Sequence, residues 1–526
     1  MIIPKSLSSN ISDERERFFM PKAKMAHCKQ ILKTYWTLFG ILLIGAFIGL
    51  YQLNTLPGEM WGDAIAHYYL AQQMQHGVFF YNYRYGGDGP IYTYLVVLVS
   101  WFLGLSFYTL KLTSVFVYLF FIIFLYLLAE ELFKKQEIAV ISGFLAAVSF
   151  WSITFARQPH ARMLVPLFIT ITLLFAIKNK KIAAGVFLGL GMYAQASFWG
   201  MPLVFWRRYK ILLLGLLITI PLLYSFATEK TGFFTNQSYF GEKLAISDNL
   251  PLSNIIHNLI HNISANFFSF FLRGDQGFRL NVPLSPHLDI ISALFFFIGF
   301  FLLIRTSIKK KQMKYFEFII LPFILIQIPS LLDIHNPTAQ PNIGRMIGVI
   351  PFVYLATGYG ITQTWHFIFS QTIQNKKLQK IFYYLCITYL LLIITAANLY
   401  KYFVIYPYFL PDQNTPFAKI IAHTIDSYPP QTTFVVIGSG WSEWHQPEQQ
   451  AIIDSMTKKH TVFFLQSPPT TTLLCDTVKT ISHAVLITSP VDKQTLIGLA
   501  ACDKQFNAYF LQKGSFTIAR VLQIKQ

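Results

Sequence analysis

Apolar runs long enough to cross a lipid bilayer recur through the first 400 positions of this chain. In hydrocarbon a backbone satisfies its own polar groups only as a helix or a closed barrel, and a spanning helix needs about 20 mostly apolar residues to cover a core ~30 Å thick. Segments of that kind, or close to it, lie near 34–53, 105–128, 138–155, 163–177, 182–196, 211–227, 289–304, 316–332, 346–366 and 381–399, with two shorter ones at 91–103 and 197–206. Only 13% of the 526 residues are charged and 54% are hydrophobic, with 51 Phe and 28 Tyr; a soluble domain carries about 25% charged residues. The chain reads as a polytopic α-helical membrane protein, not a soluble enzyme, a nucleic-acid binder or a disordered polymer.

The net charge of +18 is therefore explained by topology first. Of the 42 basic residues, 23 fall in the leader 1–33 and in five clusters: Lys134/Lys135, Lys178/Lys180/Lys181, Arg207/Arg208/Lys210, Arg305/Lys309/Lys310/Lys311/Lys314 and Lys376/Lys377/Lys380. Short loops rich in Lys and Arg stay cytoplasmic. All six groups share one side if 91–103 lies on the membrane surface or re-enters it, 197–206 crosses, and every other segment crosses once. That gives eleven spans, with ten to thirteen left open by the two short segments. The N-terminus is then cytoplasmic, its polar leader not a cleavable signal peptide. The membrane domain is 34–404, with outer loops 54–104, 156–162, 228–288 and 333–345.

From about 405 to 526 the pattern changes. Short β-rich runs (Phe434 to Ile437, Ala484 to Thr488, Asn507 to Leu511, Phe516 to Ile524) alternate with helix-like stretches (Thr415 to Ser427, Glu448 to Met456, Lys493 to Ala501). This alternation predicts a small α/β domain outside the membrane. Four cysteines exclude a disulfide-dense scaffold, and their spacing makes no zinc motif. Cys475 and Cys502 pair if the tail faces an oxidising compartment; lone buried thiols are the alternative. Gly438-Ser439-Gly440 follows a strand but lacks the further glycines of a nucleotide loop.

The first outer loop holds a polar island between apolar walls. It reads Glu59-Met-Trp61-Gly-Asp63-Ala-Ile-Ala-His67-Tyr68, then Tyr83-Arg84-Tyr85-Gly-Gly-Asp88-Gly-Pro90-Ile-Tyr92. Charges at such a place are costly without a partner or a task. Further along come Phe155-Ala-Arg157-Gln-Pro-His160-Ala-Arg162, the run Gly274-Asp275 to Arg279-Leu-Asn281-Val-Pro283 with Pro286-His287-Leu288-Asp289, and Pro341 to Arg345 before Pro351. In order and pattern, over about 360 residues, these motifs resemble the glycosyltransferase-C superfamily, in particular its protein O-mannosyltransferase-like and aminoarabinose-transferase-like branch (glycosyltransferase family 39-like). Two departures stand out. Ala64 occupies the place of the Glu that usually follows the catalytic acid, and the loop 156–162 lacks the family's second acid.

The resemblance implies an inverting hexosyl or pentosyl transferase that takes a sugar from a polyprenyl-phosphate donor and passes it to a protein, envelope-glycan or lipid acceptor on the extracytoplasmic side. It implies Asp63 as general base. His67, one helical turn on, could orient Asp63 or contact phosphate, with Asp88 as the runner-up acid. The phosphate would be held by Arg345, Arg162, Arg157, Arg84 and Arg279, because a guanidinium fork binds two phosphate oxygens and stays charged. Trp61, Tyr68, Tyr83 and Tyr85 flank the base and could stack on a sugar ring. No cofactor is expected, and the missing second acid argues against a divalent metal, which wants several oxygen ligands. Membrane lipids are the surroundings, in a prokaryotic plasma membrane, and no nucleic acid is expected.

Plainer roles stand beside each of these. Asp63 can cap the helix that begins at Ala64. Arg157, Arg162 and Arg345 can be interfacial anchors, Asp275 and Asp289 turn or cap residues, and His67 a structural histidine. His257 and His261 have a metal-ligand spacing without a nearby carboxylate. A polyprenyl-lipid or solute transporter would place its charges at mid-membrane on repeated, broken helices. A non-catalytic scaffold would depend on its tail alone.

Overall fold

The computed structural model describes residues 22–60, 62–84, 87–228, 250–309, 312–335, 337–438, 448–466, 469–480, 484–502 and 505–525. The expectations placed on Trp61, Tyr85, residues 1–21, residues 229–249, and Ser439 with Gly440 fall outside them.

Helices follow the apolar runs. They are α1 (Lys22–Leu50), α2 (Asp63–Gln75), α3 (Ile91–Leu103), α4 (Phe107–Phe133), α5 (Gln136–Val148), α6 (Phe150–Arg157), α7 (Leu164–Ile177), α8 (Lys181–Met192), α9 (Tyr209–Thr228), α10 (Leu252–Phe268), α11 (Ile290–Lys309), α12 (Ile350–Thr372) and α13 (Lys376–Tyr400). A 3₁₀ stretch covers Ala196–Phe205, and a broken helix covers Met313–Leu331. Among the described residues, five helices are long and apolar enough to cross a bilayer: α4, α9, α11, Met313–Leu331 and Lys376–Phe409. The pair α5–α6, bent by 54°, makes a sixth. The eleven spans read from the sequence are not reached on this count. α7 and α8 have 14 and 12 residues, too short for a full core, and α12, although 23 residues long, is diluted by Thr357, Gly358, Gly360, Thr362 and Gln363.

α4 is apolar on every side and correspondingly buried. Its Tyr118 hydroxyl donates to the Ala147 carbonyl of α5 at 2.6 Å. The α5–α6 break leaves the Phe150 N–H without a helical partner, and the Asn398 side chain of α13 accepts it at 2.7 Å. α10 is inverted relative to a soluble helix. Asn258, Asn262 and Asn266 face the protein and donate to the Ile334, Leu331 and Asp333 carbonyls and the Ser330 hydroxyl, while Leu252, Ile256, Ile260, Ile263 and Phe267 are exposed. That pattern suits a helix whose outer face meets lipid. His257 and His261 are also exposed.

In the tail, strands β1 (Thr433–Ile437), β2 (Thr461–Leu465), β3 (Ala484–Thr488), β4 (Phe506–Lys513) and β5 (Phe516–Ile524) form one sheet in the order β2-β1-β3-β5-β4. β1 pairs in parallel with β2 and β3, and β5 runs antiparallel to β3 and β4. Helices α14 (Phe417–Asp426), α15 (Gln449–Ser455), α16 (Thr471–Thr480) and α17 (Lys493–Ala500) surround it. Alternation along β1 decides the packing. Phe434 and Val436 join the same buried cluster as the membrane helices, together with Ile421 and Ile425 of α14. Val435 and Ile437 point the other way, to Leu474, Val478 and Leu499. Cys475 and Cys502 form a disulfide on that second face. β2 and α16 are absent from the sequence reading.

α11 and α12 cross with their backbones in contact. A Cβ at Gly299 would lie 1.8 Å from the Ala356 carbonyl oxygen, and one at Gly360 would lie 2.2 Å from that of Phe295. Small residues permit such approach between membrane helices. Gly299→Val is expected to lower stability by ~1–3 kcal/mol, the usual scale of overpacking, read as a lower thermal midpoint of the detergent-solubilised chain. An unchanged midpoint would show that this crossing is not a tight contact.

Candidate functional site

Asp63 opens α2, with Gly62 in the N-cap position before it. Gly62 has φ +51°, and a Cβ there would lie 2.4 Å from Nη1 of Arg279. Only glycine meets both demands without strain. Asp63 is thus the first helical residue rather than the cap, and the helix N-terminus favours its negative charge.

Its carboxylate meets one imidazole and two guanidiniums. Asp63 Oδ2 is 2.7 Å from His160 Nε2, 3.7 Å from Arg279 Nη2 and 3.8 Å from Arg162 Nη2. Burial pushes the Asp63 carboxyl up, but the His160 hydrogen bond and charge, with Arg279 and Arg162, outweigh it and hold it well below the usual range. Behind His160 lies a second acid. Asp88 Oδ2 is 3.0 Å from His160 Nδ1 and 3.0 Å from His67 Nε2. His67, Asp88 and His160 are all buried, and each offers one ligand atom within 4.8 Å of the others. A partly open hollow with about 20 Å³ of space lies beside Asp63, lined by Glu59, Gln158, His160 and Arg279 among others. It has room for about one water.

The surrounding elements hold these groups in place. The Arg279 carbonyl accepts from Gln158 Nε2 at 2.6 Å and from the Tyr406 hydroxyl. Arg162 packs on Gly344, where a Cβ would sit 2.2 Å from its Nη1. The Nε and Nη1 of Arg162 are buried and find no hydrogen-bond acceptor among the described residues.

Several sequence expectations are relocated. Arg157 is fully buried. Its Nη1 donates to the Ile48 and Gly49 carbonyls, its Nη2 to Leu56 and its Nε to the Tyr402 hydroxyl, so it ties helices together and has no fork open to phosphate. Arg345 is ion-paired with the buried Asp333, which also accepts from Gln340. Arg84 is exposed, and among the described residues it makes no ion pair with Asp63. Tyr68 and Tyr83 present no open ring face. The Tyr68 hydroxyl donates to Asp454 of α15 at 3.0 Å, and that of Tyr83 donates to the Met192 carbonyl at 2.6 Å; the two residues are 4% and 2% exposed. Asp275 accepts the Gly277 and Ile343 N–H groups and Asp289 that of Ser292, which is turn and cap chemistry. The sequence reading gave His160 and Glu59 no role, although both lie in motifs it quoted.

Glu59 is 3% exposed. It accepts from the Ala418 N–H at the start of α14, at 2.6 Å, and from the Met60 N–H. Burial raises its carboxyl to about 7, against those N–H groups and the Lys419 and Lys111 charges.

No family model matches the sequence, and no curated protein matches it. Among solved structures, ArnT from Cupriavidus metallidurans bound to undecaprenyl phosphate superposes with a TM-score of 0.51 at 13% identity, covering 93% of this chain and 97% of that one. The same protein in the apo state gives 0.52 at 13% identity, covering 95% and 98%. The archaeal oligosaccharyltransferase AglB from Archaeoglobus fulgidus, in complex with an inhibitory peptide and a dolichol-phosphate, gives 0.47 at 13% identity, covering 86% and 69%. The likeness to ArnT is one of fold and runs through nearly the whole of both chains. At the level of fold it is what the resemblance to the aminoarabinose-transferase-like branch implies.

The Glu59 contact makes the docking of α14 depend on pH. Its docked value lies above its ordinary 4.5, so the proton favours the docked state. Docking is strongest below 4.5 and weakens as pH rises through about 7. Hydrogen exchange in 417–426 is expected to quicken over that window. Glu59→Gln keeps an acceptor oxygen but cannot ionise, and should remove most of a slope worth up to ~3 kcal/mol. The same slope in E59Q would assign it to another group.

Proposed function

We propose that the protein is an integral-membrane glycosyltransferase that takes a sugar from a polyprenyl-phosphate carrier and passes it, with inversion, to an acceptor on the extracytoplasmic side. The observation that carries this is the grouping at Asp63: an ionised carboxylate beside Arg162 and Arg279, with two buried Arg162 donors lacking an acceptor. Those donors suit an anion arriving from the membrane. The fold likeness to ArnT, whose structure holds undecaprenyl phosphate, supports a polyprenyl-phosphate anion.

In the proposed reaction the acceptor hydroxyl or amine attacks the anomeric carbon. The bond from that carbon to the phosphate oxygen breaks, polyprenyl phosphate leaves, and the acceptor proton passes to Asp63. A phosphate on the two guanidiniums competes with Asp63 for them and frees the carboxylate to take the proton. His160 keeps the other side of the carboxylate oriented. The Cys475–Cys502 disulfide supports placing the tail in an oxidising compartment. With the tail outside and the basic clusters inside, the site falls on the outer face of a plasma membrane.

The test is transfer from a labelled polyprenyl-phosphate sugar by the purified chain in liposomes. Asp63→Asn is expected to lower kcat by about 10²–10⁴-fold with the thermal midpoint retained. Arg162→Ala and Arg279→Ala should mainly raise the donor KM, and Arg157→Ala should lower folded yield instead. Full turnover by D63N would end the assignment of Asp63 as base.

A further inference from the structure

The sequence reading set metals aside because the loop 156–162 supplies no acid. The fold brings in other donors. His67 comes from the middle of α2, Asp88 from the turn before α3, and His160 from the turn after α6, so three separate segments converge on one buried point. We propose that His67 Nε2, Asp88 Oδ2 and His160 Nδ1 bind a zinc-like divalent cation, set one side chain behind Asp63.

The geometry is close to that of a metal centre before the ion enters. Asp88 Oδ2 stands 3.0 Å from His67 Nε2 and 3.0 Å from His160 Nδ1. In a tetrahedral site with bonds of about 2.0–2.1 Å the ligand atoms stand ~3.3 Å apart; the two Asp88 contacts fall a few tenths of an ångström short of that, and the two histidine nitrogens lie within 4.8 Å of each other, so small side-chain shifts admit the ion. The His160 Nδ1 contact to Asp88 lacks hydrogen-bond alignment, and this buried nitrogen has no other hydrogen-bond partner. The outer contacts also fit. A metal-bound histidine characteristically gives its second ring N–H to a carboxylate or another oxygen. His160 Nε2 is 2.7 Å from Asp63 Oδ2, and His67 Nδ1 is 3.5 Å from Thr93 Oγ1. Two imidazoles and one carboxylate favour zinc and its transition-metal neighbours over calcium or magnesium, which prefer oxygen. The ion would fix the His160 ring and through it the position of Asp63. His160 is thus a positioning residue for the base, a role that rests on the reaction proposed above. The binding itself does not.

The experiment is metal analysis of the full-length chain, purified without a polyhistidine tag, loaded with Zn²⁺ and dialysed against metal-free buffer. One zinc per chain is expected in the native protein and in Asp63→Asn, which leaves the three ligands in place. The His67→Ala/His160→Ala double variant and, as a milder change, Asp88→Asn should lose it. X-ray absorption at the zinc edge should show imidazole nitrogens at about 2.0 Å. Native protein with no zinc above the buffer blank overturns the proposal, and so does zinc kept by a folded double variant. Stoichiometric zinc with no sugar transfer sinks the transferase reading and leaves the metal site standing; transfer by a chain that binds no zinc does the reverse.

Discussion

The buried guanidinium of Arg157 ties the membrane bundle to the site. A cation with no water around it must find its acceptors in the protein, and Arg157 finds them at the end of α1, at Leu56 in the first outer loop and at Tyr402 beyond α13. These three parts are far apart in sequence. Arg157 ends α6, and His160 follows three residues later. Fixing the guanidinium therefore fixes where the chain turns out of the bundle, and with it which ring reaches Asp63. Tyr406 continues the same linkage through Gln158 and the Arg279 carbonyl. The residue expected to hold phosphate thus acts one step earlier, by holding the segments that carry the site.

The first outer loop is also the seat of the tail. The Gly58 N–H donates to Asn414, the Asn414 amide to the Thr55 carbonyl, Lys419 to the Asn54 carbonyl, and the Ala418 N–H to Glu59. Tyr68 of α2 meets Asp454 of α15. The helix that carries Asp63 is thus gripped from outside by the sheet region and from inside by the histidine and acid pair behind it. Placing a carboxylate within a fraction of an ångström of its partners requires support of this kind.

Legibility in the sequence followed the range of the interaction. Long apolar helices show themselves because 20 neighbouring residues share one environment. α7 is buried among other helices and α8 is buried along one side, so neither need match the bilayer, and length alone misjudges them. Asp63 was legible as a charge between apolar walls. Arg157 was legible as a charge too, but its acceptors are three backbone carbonyls about 100 residues away and the Tyr402 hydroxyl 245 residues away, and nothing local in a sequence marks such pairings. The same holds for Arg345, whose partner Asp333 lies in a loop with no recognisable pattern. His160 was visible but had no evident role until α2 and the turn before α3 came to face it. β2 is an edge strand formed by pairing with β1 across 28 positions, and no local alternation announces it.

The arginines that remain explain why one carboxylate sits between two guanidiniums. Under the proposed reaction the donor is a phosphodiester with one negative charge, and Asp63 supplies a second against Arg162 and Arg279. As the sugar leaves, the phosphate gains a charge while Asp63 gains a proton and loses one. The group of four is neutral before and after, so no net charge is created in a poorly solvated site, where a lone charge is expensive. The charge only moves, from the carboxylate to the leaving phosphate, across guanidiniums that already touch both places. Donors positioned where charge develops stabilise the transition state more than the ground state. Were Asp63 without its arginines, the departing phosphate would have to draw its counter-charge from water that the apolar walls exclude.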